Sequence, residues 1–179
     1  EHRLKNLLFY YFESSFKELF GTRLFVVNGD VTQDFTEIVN CKSSNCQINT
    51  VFNCAANVKH FSKGTDIEDV NIGGAQRCVE FCLKTGARLV HISTTSVGEI
   101  WIIHNDGEQV PMLDERKLWF GQFLDNRYIS SKFLAERLIL DAVAHHGLNA
   151  KVMRVGNLAP RSYDGEFQVN FNSNSYMTS

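Results

Sequence analysis

Long hydrophobic runs, an excess of one charge and proline are all scarce in this 179-residue chain. Its apolar runs are short and broken by charge, which excludes a membrane-spanning helix. Basic residues number 18 against 20 acidic, for a net charge of -2. They are scattered, so the chain carries no electrostatic footprint for nucleic acid or an anionic membrane. The opening stretch, EHRLKNLLFYYFESSF, is charged throughout and has no small-residue cleavage pattern, so it does not read as a signal peptide. No internal repeat or low-complexity tract is present. The chain also has no initiator methionine and no first strand, and we expect it to be an excerpt of a longer polypeptide.

Cysteine is present in an odd number, as Cys41, Cys46, Cys54, Cys78 and Cys82. A reduced, cytoplasmic setting is therefore expected. Cys78 and Cys82 stand one helical turn apart, but no His or Cys pair at matching spacing completes a metal site. His145 and His146 are adjacent, so on a helix they point in different directions. No metal is expected. With 44% hydrophobic residues, the chain reads as soluble globular material that buries one core.

Apolar positions Leu7, Leu8, Tyr11, Phe12, Phe16 and Leu19 recur at three and four, and Gly21 follows. This predicts an amphipathic helix over 4–19. RLFVVNGD (23–30) reads as a buried strand closing on Gly29 and Asp30. NTVFNCAAN (49–57) repeats that form, and residues 70–83 are helical up to Gly86. ARLVHISTTS (87–96) is a third strand, running into four consecutive hydroxyl side chains. Residues 126–145 form the longest helix, stopped by Gly147, and AKVMRVGN (150–157) is a fourth strand. Between Gly98 and Asn126, a stretch with Trp101, Trp119, Phe120 and Phe123 reads as a long loop with an apolar inner surface.

Continuous apolar strands alternating with helices, with only two prolines, imply parallel βαβ units. The fold class is α/β: a doubly wound, Rossmann-like parallel sheet with helices on both faces, incomplete at the N-terminus. Ligands of such sheets bind beyond the carboxyl ends of the strands. Those ends carry Gly29-Asp30, Cys54-Ala55-Ala56, Thr94-Thr95-Ser96 and Gly156-Asn157. Small, hydrogen-bonding residues of this kind let a flat polar cofactor approach the backbone.

Tyr128 and Lys132 open the longest helix and share one of its faces. A free phenol has a pKa of about 10 and is a poor acid or base near neutrality. An ammonium held nearby favours the phenolate, so Lys132 is expected to lower the pKa of Tyr128. Thr94, at its strand end, is placed to hydrogen-bond the same carbonyl oxygen and stabilise charge there as hydride arrives.

The segments GDVTQ (29–33), NCAANV (53–58), VNIGGAQ (70–76), HISTTSVGE (91–99), YISSK (128–132) and RVGN (154–157) resemble the extended short-chain dehydrogenase/reductase superfamily. SKFLAERLIL, followed by GLNAKVMRVGNLAPRSYDGEFQVNFNSNSYM, narrows the resemblance to the thioester reductase domains of nonribosomal peptide synthetases and carboxylic acid reductases. These are close to the fatty acyl-CoA reductases. The resemblance covers nearly the whole chain. It implies Thr94, Tyr128 and Lys132 as the catalytic set, with Lys132 also bonding the nicotinamide ribose. It further implies that Asp30 and Val31 border the adenine and that Ala55 and Ala56 lie against the cofactor. Gly156 and Asn157 would border the nicotinamide and the acyl group, and Asn71 would brace a neighbouring strand end. The implied reaction is reduction by NADPH, with NADH not excluded, of an acyl or peptidyl thioester on a phosphopantetheine carrier domain, to an aldehyde or on to an alcohol.

Two departures bear on this. The family's G-x-x-G-x-x-G fingerprint, which seats the pyrophosphate on a helix N-terminus, occurs nowhere in the chain. Asn53 stands where relatives often carry His. Residues 1–179 are therefore expected to be a partial NAD(P)-binding reductase domain, without the first βαβ unit and the C-terminal substrate region. Such a piece leaves sheet edge uncovered and is expected to be poorly stable alone or to associate. Two other readings use the same residues: a fatty acyl-CoA reductase, or a nucleotide-sugar epimerase or dehydratase. A non-enzyme reading is an inactive interaction fragment lacking its phosphate site.

Overall fold

The computed structural model describes residues 1–34, 47–58, 64–103, 107, 109–113, 115–119 and 121–167. They fall into two compact units, one of residues 29–156 and one of residues 1–28 with 157–179. No described helix is long and apolar enough to cross a membrane.

The unit of residues 29–156 is built on three parallel strands, β1 (Thr50–Asn53), β2 (Arg88–Thr94) and β5 (Ala150–Val155), in the order β1-β2-β5. Asn53 lies beside His91, and Thr94 beside Val155. All three carboxyl ends therefore reach the same edge of the sheet. A turn at Asp66–Glu68 and a π-helical turn at Asp69–Gly73 lead into helix α2 (Gly74–Thr85). Helix α3 (Arg127–His146) is the longest. Both helices end where the sequence places their stops. Gly86 and Gly147 adopt φ of 75° and 68°, a left-handed geometry that costs glycine nothing.

The core forms because one stripe of each helix is apolar. Ala75, Cys78, Val79, Phe81 and Cys82 from α2 meet Ala135, Ile139 and Ala142 from α3 over Leu89 of β2. Fully burying a side chain such as Ile139 contributes about 1.5–3 kcal/mol. The Cys78 and Cys82 thiols are free, and desolvation pushes both up to about 11, so they behave as apolar packing. The opposite face of the sheet, with Phe52 and Met153 at 67% and 45% exposure, carries neither α2 nor α3.

Three sequence expectations are corrected here. Residues 23–30 form no strand: Phe25, Val26 and Val27 are exposed, and only an isolated bridge from Phe20 to Leu24 is present among the described residues. A strand needs a ladder partner, and in the usual doubly wound order 3-2-1-4-5-6 the third strand is separated from the fourth by two others. Next, the predicted helix 4–19 stops early. Helix α1 runs His2–Phe12, Glu13 and Phe16 take positive φ, and a 3-10 turn follows at Lys17–Leu19. Ser14 Oγ accepts from Phe16 N at 3.2 Å, the local competition that makes serine a poor helix interior. Finally, the stretch read as a loop contains an antiparallel hairpin, β3 (Glu99–Ile103) and β4 (Gln109–Leu113). Pro111 disguised it, because proline sits in strands only at an edge, and a two-stranded ribbon is all edge.

Of the aromatics in that stretch, Trp119 packs edge-on against Phe133 with ring centroids 5.9 Å apart, and Phe123 is exposed. Phe120 and the whole tail after Phe167 lie outside the described residues.

In the other unit, Arg161 grips Asp164 with two nitrogens at 3.1 and 2.6 Å and donates to the Tyr11 carbonyl at 2.9 Å. The RSYDGEF turn is thereby tied to α1.

Candidate active site

Helix α3 is fixed at its start. The Asn126 side chain accepts from Tyr128 N and Ile129 N at 2.9 and 3.2 Å, filling two of the donors that every helix start leaves open. The Arg127 guanidinium reaches both Glu68 oxygens and the Gly64 carbonyl, and that pairing holds the Glu68 carboxyl below its ordinary range. Tyr128 thereby sits half-buried on the first turn, and Lys132 one turn further, 2% exposed.

Lys132 Nζ donates to the Ile92 carbonyl at 2.6 Å, two residues before the end of β2. Burial lowers its pKa, with Glu136 and Cys54 acting in the opposite direction. Cys54 follows β1, so the ammonium lies between two strand ends.

Tyr128 differs from expectation. Its pKa is raised, and burial is the cause. The sequence predicted a lowering by Lys132, whose hydrogen bond goes instead to a backbone carbonyl. A raised phenol stays protonated near neutrality, so the proton is present to be given, though from a weaker acid than an ordinary phenol.

Thr94 Oγ1 accepts from Ser96 N at 3.3 Å, capping the 3-10 turn Thr95–Val97, and the hydroxyl keeps its own hydrogen to donate. Asn71 sits in the π-helical turn, 1% exposed. Its side chain accepts from Asn57 N at 2.7 Å and donates to Asn57 O at 3.0 Å and to Ser131 Oγ at 2.8 Å. Ser131 in turn donates to the Tyr128 carbonyl at 2.7 Å. One asparagine thus links the loop after β1 to the helix turn that carries Tyr128.

Ala55 and Ala56 are exposed just beyond β1, with Ala55 N donating to Asn53 Oδ1 at 3.2 Å. Asp30 is exposed, and its carboxylate accepts from Thr32 N and Oγ1 at 2.9 and 2.8 Å, which lowers its pKa. Val31 packs on the start of α2 so closely that a Cβ on Gly74 would stand 2.8 Å from its Cγ2. Gly156 follows β5, where a Cβ would lie 3.8 Å from Thr95 Oγ1. The structure therefore gathers Ala55, Ala56, Thr94, Tyr128, Lys132 and Gly156 at one end of one sheet. Asn157 falls in the other unit.

A buried polar layer beneath these residues was missed from sequence. His91 Nδ1 is 3.2 Å from Asn53 Nδ2, while His91 Nε2 is buried without a partner. Desolvation first, then Lys132, pushes His91 down to about 3. Ser93 Oγ donates to Glu136 Oε1 at 2.5 Å, and Arg154 forks onto both Glu136 oxygens at 2.9–3.2 Å. The available signal was parity: Leu89, His91 and Ser93 alternate along β2 and must face the same helices. A groove of 510 Å³ along β5 borders Glu136 and Arg154, not Tyr128 or Thr94.

These residues fit a nicotinamide dinucleotide. Exposed small residues end β1 and β5 where a backbone approach is needed, and a buried ammonium stands between them.

The chain matches the family described as male sterility protein, an NAD-binding group, over residues 1–178. It is 37% identical to a thiolation-reductase di-domain from an archaeal non-ribosomal peptide synthetase, with a TM-score of 0.83, covering 99% of this chain and 46% of that one. It is 29% identical to the reductase domain of the aureusimine biosynthetic cluster, with a TM-score of 0.64, covering 85% and 37%. A dTDP-glucose 4,6-dehydratase from Streptomyces venezuelae, solved with NAD, shares the fold at 17% identity and a TM-score of 0.55, covering 74% and 38%. Among curated proteins none matches. The chain spans less than half the length of these solved relatives.

Proposed function

Because the chain belongs to the male sterility protein family of NAD-binding domains, within the extended short-chain dehydrogenase/reductase superfamily, we propose that the protein reduces a carrier-bound acyl or peptidyl thioester. The cofactor is NADPH, the first product is an aldehyde, and the partner is a phosphopantetheine-bearing carrier domain. One observation carries this reading: nearly the whole chain aligns with part of a thiolation-reductase di-domain from a non-ribosomal peptide synthetase.

NADPH, when bound, would supply hydride to the thioester carbonyl. Thr94 donates a hydrogen bond to the carbonyl oxygen, and Tyr128 transfers its proton there as negative charge develops. The resulting thiohemiacetal expels the carrier thiol and leaves the aldehyde. Lys132 would hold the nicotinamide ribose. Asp30 and Val31 would border the adenine, while Ala55 and Ala56 would allow close backbone approach. Gly156 would border the nicotinamide and the acyl group. Asn71 keeps the loop after β1 and the start of α3 in register. Tyr128 is half-buried and protonated near neutrality, and the charge developing on the substrate oxygen is what draws its proton.

The test mixes the intact protein with NADPH and an acyl-pantetheine thioester, follows the reduced-nicotinamide absorbance and identifies the product by mass. Loss of absorbance matched by aldehyde or alcohol is expected. Cofactor binding without oxidation, against both this thioester and a carrier-loaded one, would reject thioester reduction.

A further inference from the structure

Lys132 presents a physical problem that its hydrogen bond does not solve. An ammonium 2% exposed is costly to keep charged, and the Ile92 carbonyl that receives it is neutral. Three titratable groups bear on it, and a fourth, Tyr128, precedes it on its helix. His91 faces it from β2, Cys54 from the end of β1, and Glu136 lies one turn further along its own helix. Arg154, from β5, stands on the far side of Glu136. His91 cannot help, because it is buried and neutral. Among the described residues, Glu136 is therefore the carboxylate that offsets the Lys132 charge.

Glu136 makes no hydrogen bond to Lys132. Its two oxygens are taken by Ser93 and by the fork of Arg154, and the pair is buried, with side chains 2% and 12% exposed. A carboxylate free to swing toward Lys132 would occupy the ammonium hydrogens in a direct salt bridge. A carboxylate locked onto Arg154 and Ser93 supplies its field while leaving those hydrogens aimed at the strand ends.

We propose that Glu136 is a positioning residue for Lys132: locked by Arg154 and Ser93, it keeps the buried ammonium charged at the strand ends without engaging it. Arg154 and Ser93 belong to this device, because they fix where the negative charge stands. The use of the ammonium in catalysis rests on the reading given above. The charge coupling itself does not, and it is measurable in a protein that reduces nothing.

The experiment is an NMR titration of the Lys132 side chain in the intact protein labelled with ¹³C,¹⁵N-lysine, assigned with Lys132→Arg. In Glu136→Gln the Lys132 midpoint is expected to fall by about one pH unit or more relative to the unaltered protein, because the opposing charge is gone while the burial remains. Loosening of the fold moves the midpoint the other way, since relief of desolvation returns a lysine toward its ordinary value, so the sign separates lost charge from lost packing. An unchanged or raised midpoint in a folded Glu136→Gln protein overturns the inference. If Glu136→Gln does not fold, Glu136→Asp decides it. That variant draws the same charge back by one methylene, so a smaller fall supports the inference and no fall overturns it. Absence of thioester reduction alongside a shifted midpoint rejects the functional reading and leaves the coupling standing.

Discussion

Helices α1 and α3 start from the same apolar spacing, yet α1 runs for 11 residues and α3 for 20. Helix α1 has no side-chain cap and no buried residue. Helix α3 has Asn126 accepting from two backbone amides, seven buried residues and a left-handed glycine at its end. Spacing alone makes a helix possible; caps and a surface to bury against decide its length. The difference has a functional side. Lys132 and Glu136 can be buried on α3 because the strands beneath supply Ser93, Ile92 and Arg154 as partners.

Four changes would break or sharpen this contrast, in falling order of effect. Ile139→Ala, at a fully buried position of α3, is expected to destabilise the protein by about 3 kcal/mol in urea unfolding. His91 gives the next largest effect, through pH. Its folded pKa lies near 3 against an ordinary 6.5, so below pH 6.5 the unfolded chain takes up a proton that the folded chain refuses. Stability should therefore fall as pH drops from 6.5 toward about 3, and His91→Gln should flatten the upper part of that slope, down to about pH 5, before the carboxylates titrate. Equal slopes in the two proteins would contradict this. Asn126→Ala removes the cap of α3 and should cost about 1 kcal/mol. Phe9→Ala, on α1 and 63% exposed, should cost less than about 0.5 kcal/mol. If Phe9→Ala proved as damaging as Ile139→Ala, the contrast between the helices would not hold.

The three parallel strands were legible because each is a continuous apolar run, as only a strand buried among neighbours needs to be. RLFVVNGD has the same signature and forms no strand, since the signature describes a requirement for partners and does not provide them. The hairpin Glu99–Leu113 was hidden by Pro111 and by EIWII, which does not alternate. That Thr94, Tyr128, Lys132 and the small strand-end residues gather at one end of the sheet was readable from spacing and from resemblance. The Glu136–Arg154 and His91–Asn53 contacts were not, because they join residues 18 and 38 apart whose meeting depends on strand register. The direction of the Tyr128 shift was missed for a related reason: spacing placed Lys132 on the right face, but only the fold shows that its ammonium turns to Ile92.

The central claim is a division of labour in which Tyr128 serves the proton and Lys132 serves the cofactor. Its most direct test compares NADPH affinity and turnover in Tyr128→Phe and Lys132→Met of the intact protein. The account predicts that Tyr128→Phe binds NADPH within about twofold of the unaltered protein while turnover falls at least about 100-fold, the range for a lost general acid, and that Lys132→Met loses affinity and turnover together. Turnover retained in Tyr128→Phe would contradict it.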